Sequence, residues 1–363
     1  MAGRRRANPF FDKLKGKRHS FDVGDIVKLF EKVDRNRVEK IAEALAKYIS
    51  SNLPESFEKR NGLADYRTNP YVLMTSATVM NLSDPRHFAD FLFNSKLYMA
   101  LETSFGKSVE SLLLGNYPIS SSEKWSDPPE KIEEAKALEG LTREEKAKKR
   151  TSSVWREIDK SCVVGNRRYL VSVKSGPNTI NDTQVQAMTQ AIIDHHMTWL
   201  RQTRKSNPEV SQLDIVIGLT YGTDRTTNNK ENQILAKLLE FGFKTSDLGF
   251  HPCVISQKDR SSICSYRCIG RDFWSFIGDP ADPSSAQFVF LEVLLALAKA
   301  LSVGIKNADL ESRINMKMKV LADALAKLQF PRKGLPVWIR EDFNEDELFW
   351  FATALTAFFD EGI

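Results

Sequence analysis

The hydrophobic period of this chain changes at Thr151, and that change limits what it can fold into. Before Thr151, apolar residues recur at helical spacing: Ile26, Leu29, Phe30 and Val33, then Val38, Ile41, Leu45 and Tyr48. Ser83-Asp84-Pro85 reads as a helix start that continues through Phe88, Phe91, Leu92 and Leu97. A further helical stretch follows Phe105 and ends near Leu114-Gly115. After Thr151 the spacing predicts strands over Val154 to Cys162 and Arg168 to Lys174, joined by a tight turn at Gly165-Asn166. A helix from Thr183 to about Lys205, a buried strand from Leu213 to Tyr221, a helix from Lys230 to Phe241 and a late strand from Ile263 to Ile269 follow. Asp272 is expected to cap Phe273-Trp274-Ser275-Phe276. Residues 284–327 and Asn344 to Phe359 read as helices.

This pattern predicts an α/β fold: a core with a mixed central β-sheet flanked by helices, plus helical N- and C-terminal regions. The expected divisions are a basic arm and helical region over 1–115, a charged linker or insertion over 116–150, a catalytic core over 151–282 and a helical region over 283–363. The linker reading rests on composition, since 15 of the 27 residues from 124 to 150 are charged.

Composition narrows the function classes. The chain is 42% apolar, too apolar for intrinsic disorder. It has no run of 18 apolar residues, so no membrane span is expected; the best candidate, Phe288 to Leu301, is broken by Glu292 and Lys299. The N-terminus lacks an apolar leader core, and four cysteines make no disulfide framework, so a reducing, cytoplasmic compartment is expected. The net charge of +5 permits a nucleic-acid partner without requiring one. The first 18 residues carry Arg4, Arg5, Arg6, Lys13, Lys15, Lys17 and Arg18 against Asp12. Such an arm can track a phosphate backbone, or it can be a solvated terminus.

The chemistry-bearing stretch is Glu157-Ile158-Asp159 followed by Ser172-Val173-Lys174-Ser175-Gly176. On a strand, Glu157 and Asp159 share one face, as do Ser172 and Lys174, and a hairpin lets the acids and Lys174 converge. Two acids and a lysine make poor core chemistry, because buried unpaired charge is costly. They suit phosphodiester hydrolysis: Asp159 as a hard oxygen ligand for Mg²⁺, Lys174 to orient or help deprotonate water and to stabilise developing charge. An ordinary surface hairpin with an Asp–Lys pair fits the same spacing.

The segment Glu157-Ile158-Asp159 with Tyr169-Leu170-Val171-Ser172-Val173-Lys174-Ser175-Gly176 resembles the PD-(D/E)XK nuclease superfamily. More narrowly, it is similar to type II restriction endonucleases of the Eco-O type, which cut RGGNCCY. Three further segments resemble that family in the same order: Ser104-Phe105-Gly106-Lys107-Ser108-Val109-Glu110, Val216 to Gly222 with Lys230, and Arg271-Asp272-Phe273-Trp274-Ser275-Phe276. The resemblance covers about residues 100–280. It implies a restriction-endonuclease-like core and a Mg²⁺-dependent, sequence-specific cut of double-stranded DNA. It also implies a homodimer, since two strands need two sites, and a cognate DNA methyltransferase as genetic partner in a prokaryotic cell. By position, Asp159 matches the metal-binding Asp and Lys174 the catalytic Lys. Ser172 stands where most of the superfamily has an acid, and Gln186 and Ala187 exclude the migrated-acid alternative. Glu110 and Glu157 are the candidates for the second acid, with Glu102 behind them. A less specific repair or processing nuclease and an inactive DNA-binding protein are the alternatives.

Other candidates carry less. His251, Cys253, Cys264 and Cys268 have ligand chemistry but no knuckle spacing, and buried free thiols are expected. His195 and His196 lie mid-helix. Arg201, Arg204 and Lys205 can hold phosphate or complement a helix dipole, and Arg167 and Arg168 border the catalytic strand. Phe349-Trp350-Phe351 reads as packing.

Overall fold

The computed structural model describes residues 23–58, 63–66, 69–176, 179–223, 226, 228–246, 253–258, 261–307, 310–328 and 335–355. Arg4, Arg5, Arg6 and His251 fall outside these. The chain forms two compact units, residues 1–42 with 106–297 and residues 43–105 with 298–363.

The second unit is helical, with long helices over Pro85–Ser108 and Leu310–Ala326. Its core gathers Tyr66, Leu73, Phe88, Leu92, Phe93, Leu321, Leu325 and Trp350. Trp350 donates its indole N–H to the Leu82 carbonyl at 2.8 Å, so the C-terminal aromatic cluster packs internally through Phe349 and Trp350.

Among the described residues the first unit holds a six-stranded mixed sheet: β1 Lys160–Val164, β2 Arg167–Lys174, β3 Gln212–Leu219, β4 Lys244–Ser246, β5 Cys253–Lys258 and β6 Ser261–Ile269, in the order β1-β2-β3-β6-β5-β4. β2, β3 and β6 run parallel, while β1, β5 and β4 pair antiparallel with their neighbours. The helices of this unit include α1 Pro129–Lys136, α2 Arg143–Thr151, α3 Asp182–Ser206, α4 Lys230–Glu240 and α5 Arg271–Gly278. The expected α/β architecture with a mixed sheet flanked by helices is therefore the one found. Gly165 at φ +60° gives the two-residue β1–β2 turn the left-handed start that such hairpins favour.

Alternation along β2 builds two different layers. Leu170 faces α3 and α4, where it joins Ile192, Trp199, Ile215, Ile217 and Leu235 in the main core. Tyr169 faces the other way, 5.6 Å from the Phe276 ring of α5. Gly218 on β3 leaves room for Phe273, since a methyl group there would lie 2.3 Å from that ring. Full burial of each such apolar side chain stabilises the unit by about 1.5–3 kcal/mol.

Three local readings change. The strand expected from Val154 begins only at Lys160, because Trp155 turns inward, fully buried, with its ring 5.9 Å from Trp199. Its backbone turns with it: the Ile158 N–H reaches the Trp155 carbonyl at 3.1 Å. Asp272 is not the cap of α5; Gly270 is, at φ +56°, with no side-chain bond. β4 and β5 are additions to the expected set of strands.

Segment 117–134 runs along the outer edge of β1. Ser126 and Ser161 exchange backbone hydrogen bonds at 3.1 and 2.7 Å, and the Trp125 indole donates to the Ile277 carbonyl at 2.9 Å. The Val163 N–H reaches Glu123 Oε1 at 3.1 Å, and Lys160 pairs with Asp127. Among the described residues no helix is long and apolar enough to cross a membrane.

Candidate active site

Asp159 sits one residue before β1. The β1–β2 ladder, continued one step past its Lys160–Val171 pair, sets Asp159 opposite Ser172. The Asp159 N–H donates to the Val171 carbonyl at 2.8 Å, and Asp159 Oδ2 accepts the Val173 N–H at 2.6 Å. One bond from its N–H and one to its carboxylate thus tie Asp159 to the backbone of β2, although it lies outside the strands. Alternation puts Ser172 and Lys174 on the same face of β2.

Burial pushes the Asp159 carboxyl up to about 6. The Lys174 ammonium opposes that rise, the Glu110 carboxylate adds to it, and the Val173 N–H and Lys131 lower it again. Glu110 and Lys174 therefore each lie within electrostatic reach of the poorly solvated Asp159 carboxylate. Ser172 Oγ is fully buried and finds no hydrogen-bond partner among the described residues.

Glu110 arrives from another element. The helix ending at Ser108 widens into a π-helical turn over Val109–Leu113, a conformation that re-aims side chains and recurs at functional sites. Val109 and Leu113 anchor the turn in the interior and leave Glu110 half-exposed. The approach is close: a methyl group on Gly106 would lie 3.4 Å from the Ser175 Cβ. Glu157, in the turn opened by Trp155, pairs with Arg156 at 3.5 Å. It does not share a strand face with Asp159, and it is not among the groups that shift that carboxyl.

The arginines lie elsewhere. Arg167 and Arg168 open β2, six to seven residues from Lys174, about 20 Å along the strand. Arg167 Nη1 binds the buried Asp214 at 2.9 Å, and burial raises the Asp214 carboxyl despite that partner. Arg168 is buried over the Trp155 ring and makes bonds of 2.7 and 2.8 Å to both Glu130 oxygens and of 2.7 Å to Thr203. Arg204 donates to the Val210 carbonyl at 3.2 Å, and Arg201 is exposed near the C-terminus of α3. None of these four is brought to the Asp159–Lys174 end. His196 Nδ1 sits 2.8 Å from the Ile192 carbonyl inside α3. Cys162, Cys253, Cys264 and Cys268 are buried thiols.

The donor set suits a hard cation that recruits few protein ligands. Among the described residues no three His, Cys, Asp or Glu side chains gather as a metal cage. Asp159 and Glu110 could supply the one or two carboxylates that Mg²⁺ normally takes, and a cation between them would relieve the repulsion that helps raise Asp159.

Sequence reading did not find Lys131. Its ammonium donates to the Ile158 carbonyl at 2.6 Å and lowers the Asp159 carboxyl from a neighbouring helix. Trp125, an aromatic in a stretch otherwise dominated by charge, is the available signal that this segment is anchored rather than solvated.

Residues 137–297 match the family model of the type II restriction endonuclease EcoO109I. No curated protein matches the chain.

Proposed function

We propose, for a chain that is a type II restriction endonuclease of the EcoO109I family, a Mg²⁺-dependent hydrolysis of phosphodiester bonds in double-stranded DNA carried by Asp159, Glu110 and Lys174. The observation that supports it is the convergence on one half-buried carboxylate of a second acid and a lysine from two other elements. Asp159 and Glu110 would hold the ion. A Mg²⁺ ion bound there supplies a Lewis acid for the phosphoryl oxygen and acidifies a bound water. Lys174 orients the attacking water and sets positive charge beside the phosphorus as negative charge develops. Ser172 contributes a buried hydroxyl in place of the usual acid, and Glu157 lies at the rim of the site. The arm residues Arg4, Arg5 and Arg6 and the exposed Arg201 are assigned to flanking phosphate, whereas Arg168 is already engaged with Glu130.

Cutting both strands of a near-palindromic site needs two such centres, so we infer a C2 homodimer. A methyltransferase of matching specificity and a prokaryotic cytoplasm complete the reading. The test is digestion of a sequenced phage DNA with Mg²⁺, followed by mapping of the ends. Discrete fragments that vanish on chelation are expected. A smear would indicate a nuclease of little specificity. Intact but bound DNA would indicate an inactive binder, the outcome that the uncharged Ser172 would then explain.

A further inference from the structure

Segment 117–134 contacts the catalytic hairpin along its length. Ser126 bridges to Ser161, Glu123 takes the Val163 N–H, and Glu130 takes both arms of Arg168. At the end nearest Asp159, Lys131 Nζ donates to the Ile158 carbonyl at 2.6 Å in a partly buried setting. That carbonyl belongs to the peptide bond that begins Asp159. Ile158 itself is fully buried in the main core. Glu123, Ser126, Glu130 and Lys131 all precede position 137, where the family match begins.

Besides the Ile158 N–H bond to the Trp155 carbonyl and the buried Ile158 side chain, no strand pairing fixes the backbone at residue 158. Residues 154–157 form a turn, and the ladder begins only at Lys160. Asp159 is therefore held by its two bonds to β2 on one side and by the Lys131 bond to the preceding carbonyl on the other. A charged donor to a buried carbonyl is among the stronger protein hydrogen bonds. Displacing a metal-holding carboxylate by a fraction of an ångström is costly to catalysis.

We propose that Lys131 is a positioning residue for the active site, which fixes the Ile158–Asp159 peptide so that the Asp159 carboxylate stays aimed at the ion and the scissile phosphate. It acts through Asp159 and does not itself touch substrate. The assignment rests on the Asp159–Glu110 reading above.

The test uses full-length protein with three substitutions. Lys131→Met keeps the aliphatic stem and removes the donor, Lys131→Arg keeps a charged donor, and Lys136→Met removes an exposed charge from the same helix as a control. Four quantities are measured: kcat and KM on cognate DNA, the melting temperature, and Mn²⁺ binding to DNA-free protein. Lys131→Met should lose about tenfold or more in kcat, the value of one charge-assisted hydrogen bond. Its KM should stay within about twofold and its Mn²⁺ affinity should fall severalfold. Lys131→Arg should recover part of both losses, and Lys136→Met should match wild type. A folded Lys131→Met protein with wild-type kcat and Mn²⁺ affinity would overturn the proposal. So would a lower melting temperature with kcat unchanged in the folded fraction, which would make Lys131 purely structural. If wild-type protein cuts no DNA, the nuclease reading fails, and Mn²⁺ binding alone decides the role of Lys131.

Discussion

Replacing Arg168 by Met should destabilise the first unit while leaving the electrostatics of DNA binding untouched. The guanidinium is buried, bonded to both oxygens of Glu130 and to Thr203, and stacked 5.1 Å from the Trp155 ring. Its side chain is 4% exposed and that of Glu130 16%. Removing one partner of a buried pair typically costs about 3–5 kcal/mol, because the other charge is left without compensation. The residual exposure of Glu130 places the expected loss near the lower bound, about 3 kcal/mol. For a unit of this size that corresponds to a fall of about 6–12 °C in melting temperature. The Arg168 contacts hold Glu130 below the usual carboxylate range although burial pulls it up. A depressed folded pKa stabilises at pH above the unfolded value and loses that stabilisation as pH falls through the folded one, so the difference between variant and wild type should shrink in acid. Differential scanning calorimetry from neutral to acid pH measures both effects. Pairing Arg168→Met with Glu130→Leu should cost less than Arg168→Met alone, since no charge is then stranded. A melting shift under about 2 °C would refute the ion-pair argument. So would a flattened salt dependence of DNA affinity in the variant, which would mean that Arg168 touches phosphate.

Other outcomes follow from the site. Lys174→Ala should lower cleavage by at least about a hundredfold while leaving specific DNA binding near wild type, as read by gel shift beside a cleavage assay. Asp159→Ala and Glu110→Ala should each eliminate Mg²⁺-dependent cutting and Glu157→Ala should be milder; a dead Glu157→Ala beside an active Glu110→Ala would reverse the two acids. Deleting residues 1–18 should flatten the salt slope of DNA binding by about 0.9 per lost phosphate contact, with sequence preference retained. Sedimentation should give about twice the 41.2 kDa chain mass, and a monomer both with and without DNA would contradict the two-centre reading.

The β1–β2 hairpin was legible because its signals are local. Gly165 makes the turn, and Tyr169 to Lys174 alternates in a way that only a strand with two different faces explains. β3 was legible as an apolar run, and α3 through its helical spacing. The position of Glu157 was not, because a distant partner decides it: Trp155 takes a place against Trp199, 44 residues on, and turns the chain before the ladder starts. β4 and β5 were missed because a three-residue strand carries no periodicity and Cys253–Lys258 has only a short apolar run. The charges of 123–134 resemble a solvated stretch until their partners are known. Glu130, Asp127 and Lys131 meet Arg168, Lys160 and Ile158, which lie 27 to 38 residues away. Of the site itself, Asp159 and Lys174 could be read from spacing. Glu110 came from the family resemblance, and the turn that aims it is visible only in three dimensions.

The backbone bonds between Ser126 and Ser161 bear on how copies of this protein can meet. An unpaired outer strand is a template on which a second chain can add its own strand, the usual route to runaway β-aggregation. Here that border is already engaged by the chain's own segment at Ser126, reinforced by Glu123 on Val163. Among the described residues the opposite border is β4, three residues long and too short to seed a stable addition. Two copies, if they associate, would therefore meet side chain against side chain, through helices and loops, and each sheet would keep its own β1–β2 hairpin whole as the pair assembled or came apart.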